Sequence, residues 1–416
     1  MNAPAREKVE VVTFGCRLNL VESEAMRRAA EAAGHSDTIA FNTCAVTAES
    51  VRQARQAIRR MSREKPGVKI VVSGCAAETE RARFEDMPEV AAIVGNAAKT
   101  DAEAWRALLR DAAPPSDILQ TRVARPVAVD SIAGHTRAFL AIQNGCDHRC
   151  TFCVIPYGRG PSRSISAEDA IAQARRLVEC GHKEIVLTGV DLTSWGGDLP
   201  GAPKLGFLAR ALLKALPGLR RLRLSSLDCI EADEDLLVAL AEEERLMPHL
   251  HLSLQSGDDM ILKRMKRRHA RRDAIEFCAR VRKLRPDIVF GADLIAGFPT
   301  ETDAMADNTL RLVEDCGLTH LHVFPYSPRE MTPAARMPQV AAPVRSARAR
   351  RLREAGERAL VRHLDAQAGK RVDVLAERGG VGRAADFTPV ATPGVEAGAM
   401  IEGVVAGRDG MKLRLA

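Results

Sequence analysis

The chain has 416 residues, 46% of them hydrophobic and 28% charged. That is the balance of a globular protein of two to four domains, and it excludes a disordered or collagen-like chain. Basic residues outnumber acidic ones 61 to 54, which permits a nucleic-acid partner without demanding one, and two Trp, two Tyr and eleven Phe leave few platforms for base stacking. No apolar run reaches the ~18 residues of a membrane span, and MNAPAREKVEVV lacks the apolar core of a signal peptide. A cytoplasmic, monomeric protein with no membrane partner is expected, and its ten cysteines are better suited to catalysis, metal ligation or packing than to disulfides.

Residues 8–108 alternate strand and helix patterns. Strands are predicted at Val9–Phe14, Ile39–Thr43, Val68–Ser73 and Ala91–Val94. Helices are predicted at Leu20–Ala33, Glu49–Arg63 (strongly basic), from about Thr79, and at Asp101–Leu109. This is the pattern of a small α/β domain on a parallel sheet. Residues 111–135 carry three prolines without periodicity and read as a partly extended linker. Strands are then predicted at Ala138–Ile142, Glu184–Leu187, Arg221–Leu224, His249–Leu254, Ile288–Asp293 and His320–Phe324. Between them lie helices near 167–179, 205–215, 233–243, 271–284 and 302–316, which suggests a partial or full (β/α) barrel. Seven arginines between Arg345 and Arg362 fall on one long helix. After Gly369, short strands broken by glycine pairs suggest a small β-barrel. The expected division is 1–110, linker 111–135, barrel 136–335, basic helical connector 336–366 and β module 367–416.

The sharpest local signal is Cys146-Asp-His-Arg-Cys150-Thr-Phe-Cys153, a C-x3-C-x2-C run in the loop after the first barrel strand. Three close thiolates suit a [4Fe-4S] cluster with one iron left open. An open iron can chelate S-adenosylmethionine and deliver an electron to its sulfonium. The competing reading is a zinc site, which usually takes four protein ligands and paired C-x2-C knuckles. A second signal is positional. Cys16, Cys44 and Cys75 each stand just past the carboxyl end of a predicted strand of one sheet, where open parallel sheets form their ligand crevice. Gly15 and Gly74 there allow close approach. Three convergent thiols suggest a second cluster; individually each is also a plausible buried apolar residue. Cys180, Cys229, Cys278 and Cys316 are expected to serve packing.

FLAIQNGCDHRCTFCVIPYGRGPSRS resembles the cluster loop of the radical-SAM methylthiotransferase family. VVTFGCRLNLVESE, FNTCAVTAES and VVSGCAAE resemble the three cysteine segments of that family's N-terminal domain. HLHLSLQSGDDMILKRMKRRH and ADLIAGFPTET resemble later barrel strands, and the tail with GRAADFTPV resembles a divergent TRAM RNA-binding domain. TCAVTAES and CDHRCTFCVIPYGRG look most like the MtaB type. The chain departs from the pattern at Cys229, where the family often has proline, and in its short tail. The resemblance implies an enzyme of tRNA modification that methylthiolates C2 of N6-threonylcarbamoyladenosine at position 37, beside the anticodon. Sister branches act on isopentenyladenosine in tRNA or on a ribosomal protein. A zinc-dependent RNA-binding protein without catalysis is the reading from another class. The resemblance further implies two [4Fe-4S] clusters, with the one on Cys16, Cys44 and Cys75 handling sulfur, two uses of S-adenosylmethionine, and an unidentified electron donor.

An aromatic C2–H is not acidic enough for a side-chain base, so the cofactor must supply the reactivity and no side chain is assigned as catalytic. Candidates for contact with S-adenosylmethionine are Phe152, Gly189, Ser253, Gln255 and Gly297. Candidates for RNA phosphates are Lys263, Arg264, Lys266, Arg267 and Arg268 in KRMKRRHARR, and Arg345, Arg348 and Arg351 on the arginine helix. The bland reading of each basic run is a solvated helix face.

Overall fold

The computed structural model describes residues 9–110, 117–127, 129–132 and 134–416. Strand β1 (Glu10–Thr13) leads into α1 (Arg17–Ala32), and β2 (Thr38–Thr43) into α2 (Ala48–Glu64). β3 (Lys69–Gly74) runs directly into α3 (Cys75–Thr79), followed by α4 (Arg81–Glu85), β4 (Ala92–Ile93) and α5 (Ala102–Leu108). The sheet runs β1-β2-β3-β4, all parallel. β2 is buried at every position, as befits a parallel strand covered on both faces. The helix expected from about Thr79 is two short helices broken at Glu80, whose φ of −135° and ψ of 40° are not helical.

Residues 111–116, 128 and 133 of the expected linker lie outside the described residues. The rest is pinned to the protein. Ile118 and Val129 are buried, Arg163 Nη1 donates to the Thr121 carbonyl at 3.2 Å, and Gln173 donates to the Val127 carbonyl.

The second unit begins with β5 (Ala138–Ala141), β6 (Gln143–Asn144), α6 (Ile155–Arg159) and β7 (Arg163–Ser164). It continues with α7 (Ala167–Glu179), β8 (Glu184–Thr188), α8 (Leu205–Ala215), β9 (Arg221–Leu224), β10 (Ser226–Leu227) and α9 (Glu234–Glu242). Then come β11 (His249–Gln255), α10 (Asp259–Arg264), α11 (Arg271–Leu284), β12 (Val289–Ala296), α12 (Asp303–Asp315) and β13 (Leu318–Pro325). Two parallel sheets, β5-β8-β9 and β10-β11-β12-β13, form the barrel wall. Side-chain caps fix the helix starts: Ser166 accepts from Asp169 N at 3.0 Å, Asp233 from Leu236 N at 2.9 Å, and Asp258 from Met260 N and Ile261 N at 3.1 Å. Each such cap is worth about 1 kcal/mol.

The barrel strands alternate with period two, but with the polar residues inside. Leu222, Leu224, Leu250 and Leu252 belong to the core beneath the helices. Arg223, His249, His251, His320 and His322 line the lumen.

Helix α13 (Ala342–Asp365) packs along β13 and β12. It leads to a closed barrel of β14 (Arg371–Glu377), β15 (Val381–Ala384), β16 (Pro389–Ala391), β17 (Met400–Asp409) and β18 (Lys412–Leu415), in the order β14-β15-β16-β18-β17. This barrel is docked on the larger one. Phe387, on the β15–β16 turn, stacks on His249 with centroids 5.0 Å apart. Arg221 Nη1 and Nη2 donate to the carbonyls of Arg383 (3.0 Å) and Asp373 (2.5 Å), and Arg137 pairs with Glu377 at 2.7 Å. No helix among the described residues is long and apolar enough to cross a membrane.

Candidate active site

Cys146, Cys150 and Cys153 occupy the loop between β6 and α6. Gly145 opens it with φ 74°, and a Cβ there would lie 1.8 Å from the Pro161 carbonyl oxygen, so only glycine fits. Thr151 anchors the middle of the loop: its N donates to the Met265 carbonyl (3.1 Å), its Oγ1 to the Arg264 carbonyl (2.7 Å), and its carbonyl accepts from Ala334 N (2.9 Å). Cys146 is buried and its thiol lies 3.4 Å from Asp191 Oδ2. Burial, and then Asp191, pushes that thiol well above its ordinary value. Burial carries Cys153 up to about 12. Buried thiols of this kind ionise only opposite a cation, which suits metal ligands.

His148, inside the loop, is engaged elsewhere. Its Nε2 lies 2.9 Å from Asp191 Oδ2 and 3.6 Å from Glu231 Oε2, and hydrogen bonds to those two carboxylates raise its pKa to about 10. A Cys3His zinc site would have to break that arrangement, whereas three thiols suffice for an iron–sulfur cluster with one open iron. The donor set fits the cluster.

In the N-terminal unit, Cys16 is the N-cap of α1, Cys44 follows β2 and Cys75 opens α3. A Cβ on Gly15 (φ 100°) would stand 2.8 Å from Cys44 Cβ, and one on Gly74 (φ 95°) 2.5 Å from Thr43 N. The chain therefore needs glycine at both places to bring these thiols to one crevice. Burial, and then the neighbouring Cys75, raises Cys44 to about 11. Asn96 Nδ2 lies 3.8 Å from Cys75 Sγ and donates to the Gly158 carbonyl at 2.6 Å. This donor set again holds three thiols and fits a cluster.

The two sets meet at α6. Cys153 stands two residues before it, and Gly158 abuts Cys75, where a Cβ would be 3.1 Å from Cys75 Cβ. Arg159, 1% exposed, donates to both oxygens of Glu22 (2.8 and 2.9 Å), to Asn144 Oδ1 (2.9 Å) and to Asn19. Lys99 Nζ reaches Glu22 at 2.7 Å. Burial would raise the Glu22 carboxyl, but Arg159 and Lys99 outweigh it and bring it down to about 2. The residue reading missed Arg159, Glu22, Lys99, Asn96 and Asp191. Buried charge pairs between distant segments leave no local signature, although the Arg-Gly that follows the cluster loop marks the place.

A cavity of about 1060 Å³ lies between the N-terminal unit and the barrel lumen, lined by Cys16, Cys44, Gly189, Asp293 and the lumen histidines. Asp293 Oδ1 sits between His251 Nε2 (3.0 Å) and His322 Nδ1 (3.2 Å). Of the five candidates for S-adenosylmethionine, Gly189 lines this cavity. A Cβ there would lie 2.8 Å from Gln143 Oε1, which accepts from Val190 N and Asp191 N. Phe152 packs edge-on to Phe298 at 6.4 Å. Ser253 gives its carbonyl to Arg267 Nη2 at 2.7 Å, and Gln255 sits at φ 66° beside a break in the β11 register. At Gly297 (φ 72°) the close neighbour is Arg345, whose Cγ would be 2.4 Å from a Cβ. The crowding that requires glycine there comes from α13.

The basic candidates divide sharply. The Arg267 side chain, 9% exposed, pairs with Asp228 at 2.9 Å, and Arg348, also 9%, pairs with Asp303 at 2.7 Å and Glu301 at 3.4 Å. Both guanidinium groups are largely buried and held by carboxylates of the fold, Arg348 by buried Glu301 and exposed Asp303, and neither is presented to an RNA phosphate. Arg264 is tied to Thr300 Oγ1 at 2.8 Å, Arg268 to Asp228 and Glu231, and Arg351, half exposed, to Asp307 at 2.8 Å. Arg345 donates to the Tyr326 carbonyl at 3.0 Å and lines the cavity. Lys263 and Lys266 are exposed. Cys229, Cys278 and Cys316 are buried, and Cys180 is exposed.

Residues 140–313 match the Radical SAM superfamily, and residues 8–95 match the uncharacterized protein family UPF0004. The chain is 48% identical over 381 residues to a threonylcarbamoyladenosine tRNA methylthiotransferase MtaB of Rickettsia prowazekii, covering 92% of this chain and 90% of that one. It is 35% identical to the protein of the same name in Bacillus subtilis, over 82% and 78% of the two chains. It is 34% identical to a tRNA-2-methylthio-N(6)-dimethylallyladenosine synthase of Paracoccus denitrificans, over 91% and 88%. Among solved structures, the radical S-adenosylmethionine methyltransferase TsrM of Kitasatospora setae superposes with a TM-score of 0.57 at 14% identity, over 79% of this chain and 77% of that one. That likeness concerns the fold. With near-complete coverage by tRNA methylthiotransferases at up to 48% identity, and three thiols in the loop a radical-SAM cluster would occupy, the chain belongs to the radical SAM tRNA methylthiotransferase family.

Proposed function

We propose that this protein methylthiolates C2 of N6-threonylcarbamoyladenosine at position 37 of tRNA in the cytoplasm, giving 2-methylthio-N6-threonylcarbamoyladenosine. The observation that carries the reading is the pair of three-thiol sets facing each other across α6, since transfer of sulfur and generation of a radical call for two cluster sites within reach of one substrate. The choice of base rests on the 48% identity to a relative named for threonylcarbamoyladenosine, against 34% to one named for dimethylallyladenosine.

In this reading Cys146, Cys150 and Cys153 hold the radical-generating cluster. A cluster held by these thiols would supply the one-electron reduction of S-adenosylmethionine from which the radical chemistry starts. Cys16, Cys44 and Cys75 hold a second cluster that handles sulfur. The remaining work of the chain is placement. Gly189 and the Gln143 amide shape the backbone after β8, the glycines at 15, 74 and 145 let thiols and backbone come close, and α6 with Arg159 fixes the spacing of the two sites. The base enters unpaired, splayed from its loop. Exposed Lys263 and Lys266 and the solvent face of α13 remain as phosphate contacts, and an external electron donor completes the system.

The test is mass spectrometry of tRNA nucleosides from cells with and without the gene, repeated with reconstituted protein and defined anticodon stem-loops. Loss of the methylthio derivative of threonylcarbamoyladenosine alone is expected. Loss of the methylthio isopentenyl nucleoside instead would overturn the assignment.

A further inference from the structure

The barrel lumen holds more hydrogen-bond donors than it can satisfy. Arg223, on β9, has a side chain 1% exposed. Its Nε and Nη2 go to Glu184 at 2.8 and 3.3 Å, while its Nη1 is buried without a partner. Glu184 has little to spare, because Arg221 Nη1 also reaches it at 3.4 Å. His249 is buried with both ring nitrogens unpartnered. Arg17, the residue after Cys16, forms no hydrogen bond or ion pair among the described residues. Its guanidinium stands 5.9 Å from the rings of Phe139 and Phe387. Arg17, Arg223, His249 and Phe387 line one end of the cavity that Cys16 and Cys44 line elsewhere. Buried donors without a protein partner cost free energy, so two guanidinium groups and an imidazole converging beside an apolar ring are suited to receive an anion.

We infer that this end of the cavity is an anion subsite for the threonyl group of the substrate base, with Arg17 and Arg223 taking its carboxylate and His249 its hydroxyl. The inference rests on the substrate reading proposed above and extends it to named residues. Guanidinium donors match the planar geometry of a carboxylate. A backbone phosphate does not suit the position, because Arg223 and His249 are buried, at 1% and 5% exposed, where a continuous polymer strand would have to enter and leave again. An isopentenyl group would leave every one of these donors unpaired, and a site built to hydrogen-bond a group rejects analogues that lack it far more strongly than an apolar pocket rejects a size mismatch. The other carboxylate at hand is that of S-adenosylmethionine, which the experiment separates.

The experiment uses full-length, cluster-reconstituted protein without reductant. Affinity is measured by fluorescence anisotropy at fixed salt for anticodon stem-loops carrying threonylcarbamoyladenosine, its carboxyl methyl ester or plain adenosine at position 37. S-adenosylmethionine affinity is measured separately by calorimetry. Arg17→Gln is the main variant, because it breaks no ion pair; Arg17→Lys keeps the charge, and iron content checks the adjacent Cys16. Arg17→Gln is expected to weaken binding of the threonylcarbamoyl loop by about 10–100-fold, the worth of one charge-assisted hydrogen bond. The ester and plain loops and S-adenosylmethionine should change less than about twofold, and Arg17→Lys should recover part of the loss. Equal losses on all loops, no loss, or a loss confined to S-adenosylmethionine would each overturn the subsite. Product analysis of wild-type protein on the same loops, and on one carrying isopentenyladenosine at position 37, keeps the two claims apart. Methylthiolation of an isopentenyladenosine loop instead would overturn the substrate reading, whereas correct product with preference retained in Arg17→Gln overturns only the subsite.

Discussion

Replacing Arg159 by methionine should uncouple the N-terminal unit from the barrel. Arg159 and Glu22 are both nearly inaccessible, at 1% and 3% exposed, and are joined by two charge-assisted bonds of 2.8 and 2.9 Å. Methionine fills much of the volume but leaves Glu22 with Lys99 and Asn144 as its partners and strands Asn19 Oδ1. Breaking a buried pair from one side costs about 3–5 kcal/mol. With a urea dependence of about 2 kcal/mol per M, the midpoint of the affected unit should fall by about 1.5–2.5 M. The two tryptophans allow the units to be followed separately. Trp105, in the N-terminal unit, donates its indole N–H to the Lys99 carbonyl at 2.8 Å, and Trp195, in the barrel, donates to the Ile165 carbonyl at 2.9 Å; both are fully buried. In metal-free protein, variants keeping one tryptophan each should give coincident urea transitions with Arg159 present. In the Arg159→Met background the Trp105 transition should move to lower urea, ahead of that of Trp195. Coincident and unshifted transitions would refute the claim that this cluster of charges couples the units.

Cys150→Ala should abolish S-adenosylmethionine cleavage while leaving iron on the N-terminal set, and Cys44→Ala should do the converse, losing methylthio product but retaining 5′-deoxyadenosine. Iron analysis with product chromatography reads both, and normal product from either variant would remove that thiol from its set. Glu22, held at about 2 in the folded chain, contributes its full stabilisation above the ordinary carboxyl range and loses it as pH falls from about 4.5 towards 2. The loss amounts to about 3 kcal/mol. Urea midpoints of metal-free wild type should therefore drop between pH 5 and 3, and Glu22→Gln should flatten that part of the drop; parallel curves would refute it. Ending the chain at Ala368 should lower the melting temperature as well as tRNA affinity, because Arg221 loses two carbonyl acceptors and Arg137 loses Glu377, while the surviving protein keeps all six proposed cluster ligands. An unchanged melting temperature would mean the C-terminal barrel is an independent attachment.

Much of the architecture is legible in residue patterns. Helices 167–179, 205–215 and 271–284 coincide with α7, α8 and α11, because each is an amphipathic repeat bounded by caps or turn residues. The C-x3-C-x2-C run is legible because its three thiols are local in sequence. Cys16, Cys44 and Cys75 are legible only through the rule that parallel strands end at a common crevice. The basic runs mislead for a physical reason: composition counts charges but not their partners, and Arg267 and Arg348 are largely buried side chains paired with Asp228, with Glu301 and with Asp303 at the surface. The interior of the barrel escapes the residue patterns although its signal is printed in RLRL, HLHL and HLH. There a strand's usual assignment of apolar residues to the inside is inverted, because leucine faces the helices and arginine or histidine faces the cavity of the lumen.

Phe387 lends the cavity a wall from another part of the chain, so the surroundings of Arg17, Arg223 and His249 are complete only when the C-terminal barrel is seated. The small C-terminal barrel thereby takes part in shaping the cavity itself, and its removal would open that wall to solvent.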